Sequence, residues 1–373
     1  MKKRIVSILL VAAMSVSLFA CGSKESSSSS DDSKKDSSAS TSTHMNASDA
    51  DGIEDKDITW AKDNSGNTFL AIAEDKGWID DLGIKIDEPN FDETNAALTA
   101  LAGGQVDIIS NYGTNAPLQE IASGEDWLII GGYMAQGCMP IVAKKGTKWN
   151  GVEDFIGKKV AADPSLYSVT GALLDKGYDP LTQVEWKSYP TSSDQLAAVV
   201  KGEVDYAVVG TSRNYEVQQN PELEAVAYQS DVMPWYSCCR MVVSREYAEK
   251  NPNTIKAILK TLIRAQEYYT THHDECEELM KDYMGVDLDY VKAYMDNDHF
   301  QISNDPLKHE VMKGWEILGK TGFLDENAKN INIEDHIDTS FYEEALNEAT
   351  EEYGDENPEF YSNLKSFYEE HNK

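Results

Sequence analysis

The sequence predicts a two-lobed α/β protein in which mostly parallel sheets carry helices on both faces and the C-terminal part is helical. Three observations lead to this prediction. The order strand–helix–strand–helix–strand, which is typical of parallel sheets, occurs twice along the chain. The two copies share sequence at a spacing of about 100 residues. A chain of 373 residues, of which 41% are hydrophobic, is long enough to build two lobes.

The repeat consists of three blocks that keep their order along the chain. Residues 61–65 (AKDNS) match 161–165 (AADPS), residues 75–78 (DKGW) match 175–178 (DKGY), and residues 98–107 match 196–205. The last two segments share leucine or valine at matching positions, a glycine, and a final Val-Asp pair. Chance explains any one block, whereas three blocks in the same order indicate a structural duplication.

Each copy starts with a short apolar strand that leads through an Asp- and Ser-rich turn into a helix. The predicted strands are 58–61, 84–86 and 106–109 in the first copy and 159–162, 184–186 and 204–208 in the second. Gly77 and Gly177 are predicted to end the first helices, because glycine adopts the left-handed conformation that often follows a helix. Later segments predict a strand at 237–244, a long helix with Asn251 as its cap and Pro252 as its first residue, and amphipathic helices at 341–350 and 358–370.

The N-terminal segment is predicted to be a lipoprotein signal peptide (1–20) followed by a disordered tether (21–56). Basic residues at 2–4 precede an apolar run that is too short for a stable transmembrane helix. The run ends in Leu18-Phe19-Ala20-Cys21, which resembles the bacterial lipobox, where the cysteine thiol receives diacylglycerol. The alternative is an ordinary signal peptide with an incidental cysteine. The tether contains mainly Ser, Asp, Lys and Thr, which offer little to bury.

Charge and cysteine content exclude several classes of protein. The chain has 33 Lys+Arg against 65 Asp+Glu, a net charge of −32, whereas nucleic-acid binders and polybasic lipid-binding surfaces need a positive face. The cysteines after the leader are Cys138, Cys238, Cys239 and Cys276, and they show no C-x-x-C spacing. We therefore expect buried small hydrophobic residues or one ordinary disulfide.

Four turns at the ends of predicted strands form the candidate binding site. In open parallel sheets ligands bind at the carboxyl ends of the strands, and helix N-termini there accept anions. The predicted ligand-binding residues come from these turns and from nearby polar and aromatic positions: Asn64, Ser65, Asn67, Asn111, Tyr112, Thr114, Tyr133, Gln136, Ser165, Tyr167, Thr211, Arg213 and Trp235. Arginine is scarce, so Arg213 is the candidate fixed charge for an anion, and Arg240 is a second arginine that could face the site. The alternative is that these residues are ordinary caps, turn formers and core aromatics.

No catalytic residue, cofactor or metal site is expected. The sequence has no G-x-S-x-G motif and no G-x-G-x-x-G after a strand, and residues 151–159 lack the spacing of a phosphate loop. Residues 272–276 (HHDEC) are candidate metal ligands by composition. Neighbouring residues on a helix point about 100° apart, so this run cannot face one ion. A solvated acidic helix is predicted there.

Three segments resemble the solute-binding proteins of ABC importers. They are residues 97–107 (ALTALAGGQVD), 157–160 (GKKV) and 243–247 (VSREY) before Asn251-Pro252. The similarity is to the nitrate/taurine/sulfonate and thiamin-precursor branch, which has a type II periplasmic-binding-protein fold. It implies lobe 1 at 57–142, lobe 2 at 143–239, and a return to lobe 1 with C-terminal helices at 240–373.

The resemblance also implies a function and a location. The protein is expected to be a monomer, lipid-anchored at Cys21 on the outer face of the bacterial cell membrane, in an extracellular or periplasmic setting. It would close by hinge motion on a small solute, either a sulfonate-, taurine- or nitrate-like anion or a planar heteroaromatic, and deliver it to the transmembrane subunits of an ABC permease. No nucleic acid takes part. Two alternatives stay open. One is a solute-binding sensor or interaction lipoprotein. The other is an enzyme similar to the fungal thiamin-pyrimidine synthase, because Cys238-Cys239 partly resembles the cysteine run of that enzyme.

Overall fold

Two five-stranded sheets with the same strand order organise the chain. They are found in the computed structural model, which describes residues 52–91 and 93–373. The strands are β1 Asp57–Ala61, β2 Lys85–Asp87, β3 Ile108–Ile109, β4 Trp127–Gly132, β5 Met134–Gln136, β6 Pro140–Lys144, β7 Lys159–Ala161, β8 Glu185–Lys187, β9 Tyr206–Val208, β10 Leu223–Tyr228, β11 Arg240–Ser244 and β12 Gln301–Ile302. The first sheet has the order β2-β1-β3-β11-β4, the second sheet has the order β8-β7-β9-β6-β10, and β5 pairs with β12.

Helices follow the strands in the order that the repeat predicts, and a helical region ends the chain. The helices are α1 Thr68–Asp75, α2 Trp78–Asp81, α3 Thr94–Ala102, α4 Asn115–Ser123, α5 Tyr167–Asp175, α6 Pro180–Gln183, α7 Ser192–Lys201, α8 Asn214–Gln219, α9 Gln229–Val232, α10 Arg245–Lys250, α11 Pro252–Thr271, α12 His273–Met284, α13 Leu288–Met295, α14 Lys308–Thr321, α15 Ser340–Tyr353 and α16 Pro358–Asn372. Gly77 and Gly177 have φ angles of 73° and 83°, which confirms that they end the first helix of each copy. None of the helices in the described ranges is long and apolar enough to cross a bilayer.

Four of the five strands in each sheet run in the same direction, which confirms the expectation of mostly parallel sheets, and the fifth strand is antiparallel. In the first sheet β1 runs parallel to β2 and β3, and in the second sheet β7 runs parallel to β8 and β9. The fourth strand of each sheet, β11 or β6, is antiparallel to both of its neighbours. Neither strand belongs to the repeated unit. β6 is where the chain first enters the second sheet, and β11 is where the chain returns from the second sheet to the first.

The second sheet is buried on both faces. Ile141, Val160 and Tyr206 belong to one apolar cluster, whereas their strand neighbours Val142 and Ala161 belong to a cluster on the opposite face. This alternation follows from the two-residue period of a strand. Helices therefore cover both faces of the sheet, and the polar strand ends are left as the region where a ligand has access.

Some predicted boundaries differ from the structure. The limit between residues 142 and 143 falls inside β6, which pairs entirely within the second sheet. Residues 52–56, assigned to the tether by composition, pack on the folded part, with Ile53 buried. The Glu54 carboxylate accepts hydrogen bonds from the backbone N–H of Asn253 (3.2 Å) and Thr254 (2.8 Å), so it caps α11 in place of the predicted Asn251 side chain. The signal peptide, Cys21 and residues 21–51 of the tether lie outside the described residues.

Candidate ligand-binding site

A cavity of about 320 Å³ lies between the two sheets, at the carboxyl ends of their parallel strands. Its wall contains residues from the turns after β1 and β3 of the first sheet and after β7 and β9 of the second. These are the four turns that the repeat predicts. The duplication therefore brings equivalent turns of the two copies to one shared cavity, as expected for a ligand site at strand ends.

Eight of the thirteen predicted residues line this cavity: Asn64, Ser65, Asn111, Tyr112, Thr114, Tyr167, Thr211 and Arg213. The amide of Asn111 donates to Ser65 Oγ (3.0 Å) and to the Gly66 carbonyl (2.8 Å), which ties the turns after β1 and β3 together. Ser165 does not line the cavity, but its Oγ accepts a hydrogen bond from the amide of the wall residue Asn115 (2.9 Å). This bond joins the two sides of the cavity directly.

Asn67 and Tyr133 support the site without lining it. The Asn67 side chain accepts from the N–H groups of Phe69 and Leu70 and so caps α1. The Tyr133 hydroxyl accepts from the Thr68 N–H (3.1 Å) and pairs with the Thr68 hydroxyl (2.9 Å). The start of α1 is therefore occupied by protein groups. Neither residue lines the cavity, and their hydrogen bonds hold the start of α1 in place.

Gln136 and Trp235 are also absent from the cavity wall in the described part of the chain. The Gln136 side-chain oxygen accepts from the Trp235 backbone N–H (3.1 Å). The Trp235 ring packs against Phe367 and His371 of α16, at centroid distances of 5.2 and 5.8 Å. Sequence reasoning placed both near the site because they border the strands that lead to it. Their contacts instead stabilise the chain segments that connect the two sheets.

In the turn after β1, the side chain of Asp63 already accepts hydrogen bonds from backbone N–H groups that could otherwise bind an anion. Asp63 Oδ1 accepts from the N–H groups of Ser65 (3.0 Å) and Gly66 (2.9 Å) and from the Asn111 amide (2.6 Å). Asp163 repeats part of this pattern in the second copy, where Oδ1 accepts from the Ser165 N–H (2.8 Å). These aspartates shape the turns and occupy the donors that an anionic ligand needs.

Two other helix starts face the cavity without a side-chain cap. They are the N-terminus of α4, preceded by Thr114, and the N-terminus of α5, preceded by Leu166. Residues 113–115 and 166–168 are part of the cavity wall. The first N–H groups of a helix have no partner within the helix and carry a partial positive charge. One such anion-accepting end therefore comes from each sheet.

The two arginines occupy different positions. Arg213 lines the cavity with a side chain that is 35% exposed, and its guanidinium lies 3.4 Å from the Glu216 carboxylate. Arg240 is buried in β11, and its guanidinium donates to the backbone carbonyls of Asp305 and Met134. Arg240 therefore ties two segments of backbone together and does not face the cavity. Arg213 is the arginine that can reach a ligand.

Several wall residues were missed by sequence reasoning, and they fall into two groups. Asp63, Asn115, Ser168 and Ser212 belong to the predicted turns, so listing each turn in full would have found them. Met134, Met139, Gln229, Cys238 and Cys239 lie outside the four turns, and no local pattern marks them. The four described cysteines are buried and free, so the first of the two expectations for them is confirmed.

The thiols of Cys238 and Cys239 are adjacent in the wall, with their sulfur atoms 3.6 Å apart. A hydrogen bond from Cys239 lowers the pKa of Cys238, and the same interaction together with burial raises the pKa of Cys239 well above its ordinary range. Burial also raises the pKa of Tyr167, whose hydroxyl donates to the carbonyls of Tyr236 and Ser237. The Tyr167 hydroxyl is therefore a neutral group that anchors the ring in the wall.

Asp63 is the ionisable group of the wall whose protonation changes near neutral pH. Burial raises the pKa of its carboxyl from 3.8 to about 6, although hydrogen bonds from Ser65, Gly66 and Asn111 oppose the change. Between these two values the folded protein retains a proton that the unfolded chain releases. Raising the pH through this window therefore removes stability.

Replacing Asp63 with Asn should flatten the pH dependence of stability between about pH 4 and 6. The Asn side-chain oxygen still accepts from Ser65 and Gly66, while the titrating proton is gone. As the pH rises from about 4 to 6, the free energy of unfolding of the native protein should fall by about 1–3 kcal/mol more than that of the Asp63→Asn variant. Urea unfolding at several pH values measures it. The exposed equivalent in the second copy, Asp163→Asn, is the matched control, and equal slopes for all three proteins would contradict the assignment.

The architecture on both sides of the cavity is that of the periplasmic binding proteins. The aliphatic sulphonate-binding protein SsuA from Escherichia coli superposes with a TM-score of 0.64 and 20% identity, over 76% of this chain and 92% of that one. The nitrate-binding protein NrtA from Synechocystis PCC 6803 superposes with a TM-score of 0.63 and 14% identity, over 80% and 90% of the two chains. The desulfurization enzyme DSZB has a related fold, with a TM-score of 0.53 and 14% identity over 79% and 99%.

Sequence comparison identifies the family. The pattern described as NMT1/THI5 like matches residues 64–276, which span the first repeat copy, the second copy and the start of the C-terminal helices. The taurine-binding periplasmic protein of Escherichia coli (strain K12) is 26% identical over 223 residues, which are 58% of this chain and 68% of that protein. This chain belongs to the NMT1/THI5-like family.

Proposed function

We propose that this protein is the extracytoplasmic substrate-binding protein of an ABC importer, which captures a small organic solute and delivers it to a permease. The observation that carries the proposal is the cavity between the two sheets, built from matching turns of the two repeat copies. Binding without turnover fits a wall of amides, hydroxyls and helix starts. It also fits a relative named as a taurine-binding periplasmic protein.

The wall favours a solute with an anionic head and an organic body. The open starts of α4 and α5 and the Arg213 guanidinium offer positive potential from both sides. A cavity of about 320 Å³ has room for more than a bare inorganic anion, and Tyr112, Tyr167 and Tyr236 supply flat apolar area. The Asp63 carboxylate adds a partner for an amino group. A small sulfonate, including an aminosulfonate, meets these features best, and a planar heteroaromatic anion is the second candidate.

Hinge motion at two neighbouring chain passages would open and close the cavity. The passages are residues 137–139, before β6, and 234–239, before β11. The second contains Trp235 and Ser237 with φ angles of 51° and 53°, a conformation that non-glycine residues seldom adopt. The two passages are in contact where the Tyr236 hydroxyl donates to the Gly137 carbonyl (3.0 Å). We propose lobe limits at these passages, so that lobe 2 comprises 140–233.

A thermal-shift panel of small solutes tests the function. Taurine, alkanesulfonates, nitrate, pyrimidines and aromatic acids are added to the purified protein, and a ligand that binds the folded state raises Tm. We expect a rise for at least one sulfonate, with the solute recovered chemically unchanged. A flat response across all classes would contradict the binding proposal, and conversion of the solute would support an enzyme.

Arg213→Ala should weaken the anionic solute identified by the panel by more than tenfold. The change removes a charged donor at the wall, and a charge-assisted hydrogen bond contributes about 1.5–3 kcal/mol. Isothermal titration calorimetry measures the effect. Arg245→Ala is the matched control, because Arg245 forms its ion pair with Asp126 away from the cavity (2.7 Å). Equal affinity in both variants would make Arg213 a surface charge.

We also propose that Cys21 carries a lipid anchor on the outer face of the membrane and that the protein acts as a monomer. Cys21→Ser should then move the protein from the membrane fraction to the soluble fraction of the producing bacterium, because the acyl chains supply the affinity for the bilayer. Immunoblotting of the two fractions measures the change. Ser23→Ala, two residues further on, is the control and should stay membrane-bound. Unchanged fractionation of Cys21→Ser would refute lipidation at this position.

A further inference from the structure

A cluster of metal-ligating side chains lies outside the cavity, where α12 meets the end of α13. His273 and Glu277 are one helical turn apart on α12, so their side chains share a face. Asp296, the residue that follows α13, approaches from the other side. One potential ligand atom from each of the three residues lies within 4.8 Å of the other two. Sequence reasoning considered only the run 272–276 and missed Asp296, which the fold brings in from about 20 residues further along the chain.

Glu277 presents an oxygen that no hydrogen bond satisfies. Its side chain is only 2% exposed, and its Oε2 lies 3.2 Å from the Lys292 ammonium. Its Oε1, the atom nearest His273, is buried and has no hydrogen-bond partner. A buried carboxylate oxygen that accepts no hydrogen bond is unfavourable, because it has lost its contacts with water without replacement. An additional positive partner inside the cluster would remove that cost.

The spacing of the three ligand atoms suits a tetrahedral metal ion better than direct hydrogen bonds. His273 Nε2 lies 3.5 Å from Glu277 Oε1 and 3.4 Å from Asp296 Oδ1. A charge-assisted hydrogen bond between such groups measures about 2.7–2.9 Å. Ligands held at about 2.0–2.1 Å from a tetrahedral zinc ion are separated by about 3.3–3.5 Å. The two separations from His273 Nε2 therefore match edges of a coordination tetrahedron, and the Glu277 and Asp296 ligand atoms lie within 4.8 Å of each other.

We propose that His273, Glu277 and Asp296 form a binding site for a divalent transition-metal ion of the zinc class. One imidazole nitrogen and two carboxylate oxygens are a ligand set that Zn²⁺ accepts, and a fourth position is left for water. Asp296 is 55% exposed, so an ion can enter from solvent. The Tyr269 ring, 5.1 Å from the His273 ring, fixes the orientation of the imidazole. Lys292 stays at the edge of the cluster and offsets part of the negative charge.

A bound ion would fasten α12 to α13, and this gives the site a structural consequence. α13 also carries Tyr290, whose ring packs on Tyr215 of α8 at a centroid distance of 6.1 Å. α8 follows β9 of the second sheet along the chain. The ion would therefore stabilise the packing of α12 against α13, and α13 in turn contacts α8 beside the second sheet. This proposal is independent of the solute that the cavity binds.

Titration of chelator-treated protein without a histidine tag tests the site. Added Zn²⁺ should raise Tm with saturation at one equivalent, and Co²⁺ should give the absorption bands of a tetrahedral complex. Mg²⁺ and Ca²⁺ should have no such effect, because they prefer all-oxygen sites. Absence of a saturable Zn²⁺ response in the native protein would overturn the proposal.

Matched variants identify the ligands. His273→Ala and Glu277→Gln should each raise the apparent Kd for Zn²⁺ at least tenfold. His272→Ala should leave it unchanged, because His272 stacks on the Tyr268 ring (4.0 Å) and its Nδ1 contacts the Thr271 hydroxyl (2.7 Å). The Co²⁺ spectrum is recorded on variants whose circular dichroism shows a folded protein. A zinc response that survives in His273→Ala, or disappears in His272→Ala, would contradict the assignment.

Discussion

Asn115→Asp should weaken the binding of an anionic solute by about 100-fold or more. Asn115 is the first residue of α4 and lines the cavity, so the change places a carboxylate of the same shape at an anion-accepting helix start. Two like charges about 5 Å apart repel by about 3 kcal/mol at the effective dielectric constant near a protein surface. That energy corresponds to about 100-fold in Kd.

The fold should survive this substitution, which makes the binding result interpretable. A carboxylate in the first turn of a helix is favourable. It also accepts a hydrogen bond from the Ser165 hydroxyl, so the contact across the cavity persists with the donor reversed. Gln119→Glu is the matched control, because it adds the same charge to α4 one turn later, where the side chain does not line the cavity.

Isothermal titration calorimetry of the two variants separates local from general effects. Loss of affinity in Asn115→Asp alone supports an anion at the start of α4. Equal loss in Gln119→Glu would point to net charge and not to the site. Unchanged or tighter binding in Asn115→Asp would exclude an anionic group at this position.

Phe155→Ala should destabilise the protein by about 3–5 kcal/mol. Phe155 is fully buried among aromatic rings on one face of the second sheet, with centroids at 5.3 Å (Trp149), 5.1 Å (Tyr206) and 6.4 Å (Trp186). Removing the ring loses its transfer free energy and leaves a cavity between large, stiff side chains that cannot collapse into it.

Urea unfolding followed by tryptophan fluorescence measures this effect. The neighbouring tryptophans report on the second sheet directly. Leu181→Ala is the control, since Leu181 is 42% exposed and should cost less than about 0.5 kcal/mol. A loss of under 1 kcal/mol for Phe155→Ala would mean that the aromatic cluster does not hold the second sheet together.

The repeat made much of the fold predictable, because it depends on local patterns. Glycines such as Gly77 and Gly177 end helices through their own backbone freedom, and alternating apolar residues mark strands wherever they occur. The positions of β6 and β11 in the sheets were harder to predict, since no property of the residues at 140–144 or 240–244 indicates which sheet each strand enters. Their antiparallel pairing follows from the path of the chain between the sheets.

The candidate site was also predictable only in the features that depend on local sequence. Asn64, Ser65 and Thr114 line the cavity because turn residues at strand ends have that position in any parallel sheet. Which donors remain available was not predictable, because it depends on side chains that come from elsewhere. Tyr133, which lies between β4 and β5 and 65 residues along the chain, reaches Thr68 and closes the start of α1. α4 and α5 are therefore the open helix starts.

The crystal structure of the protein with the solute that raises Tm tests the central claim most directly. The account predicts one solute molecule between the starts of α4 and α5, with its anionic group near Asn115, Ser168 and Arg213, and with both sheets in contact with it. A solute bound on one sheet alone, or elsewhere on the surface with the cavity left empty, would contradict the claim that the two repeat copies form a single binding site.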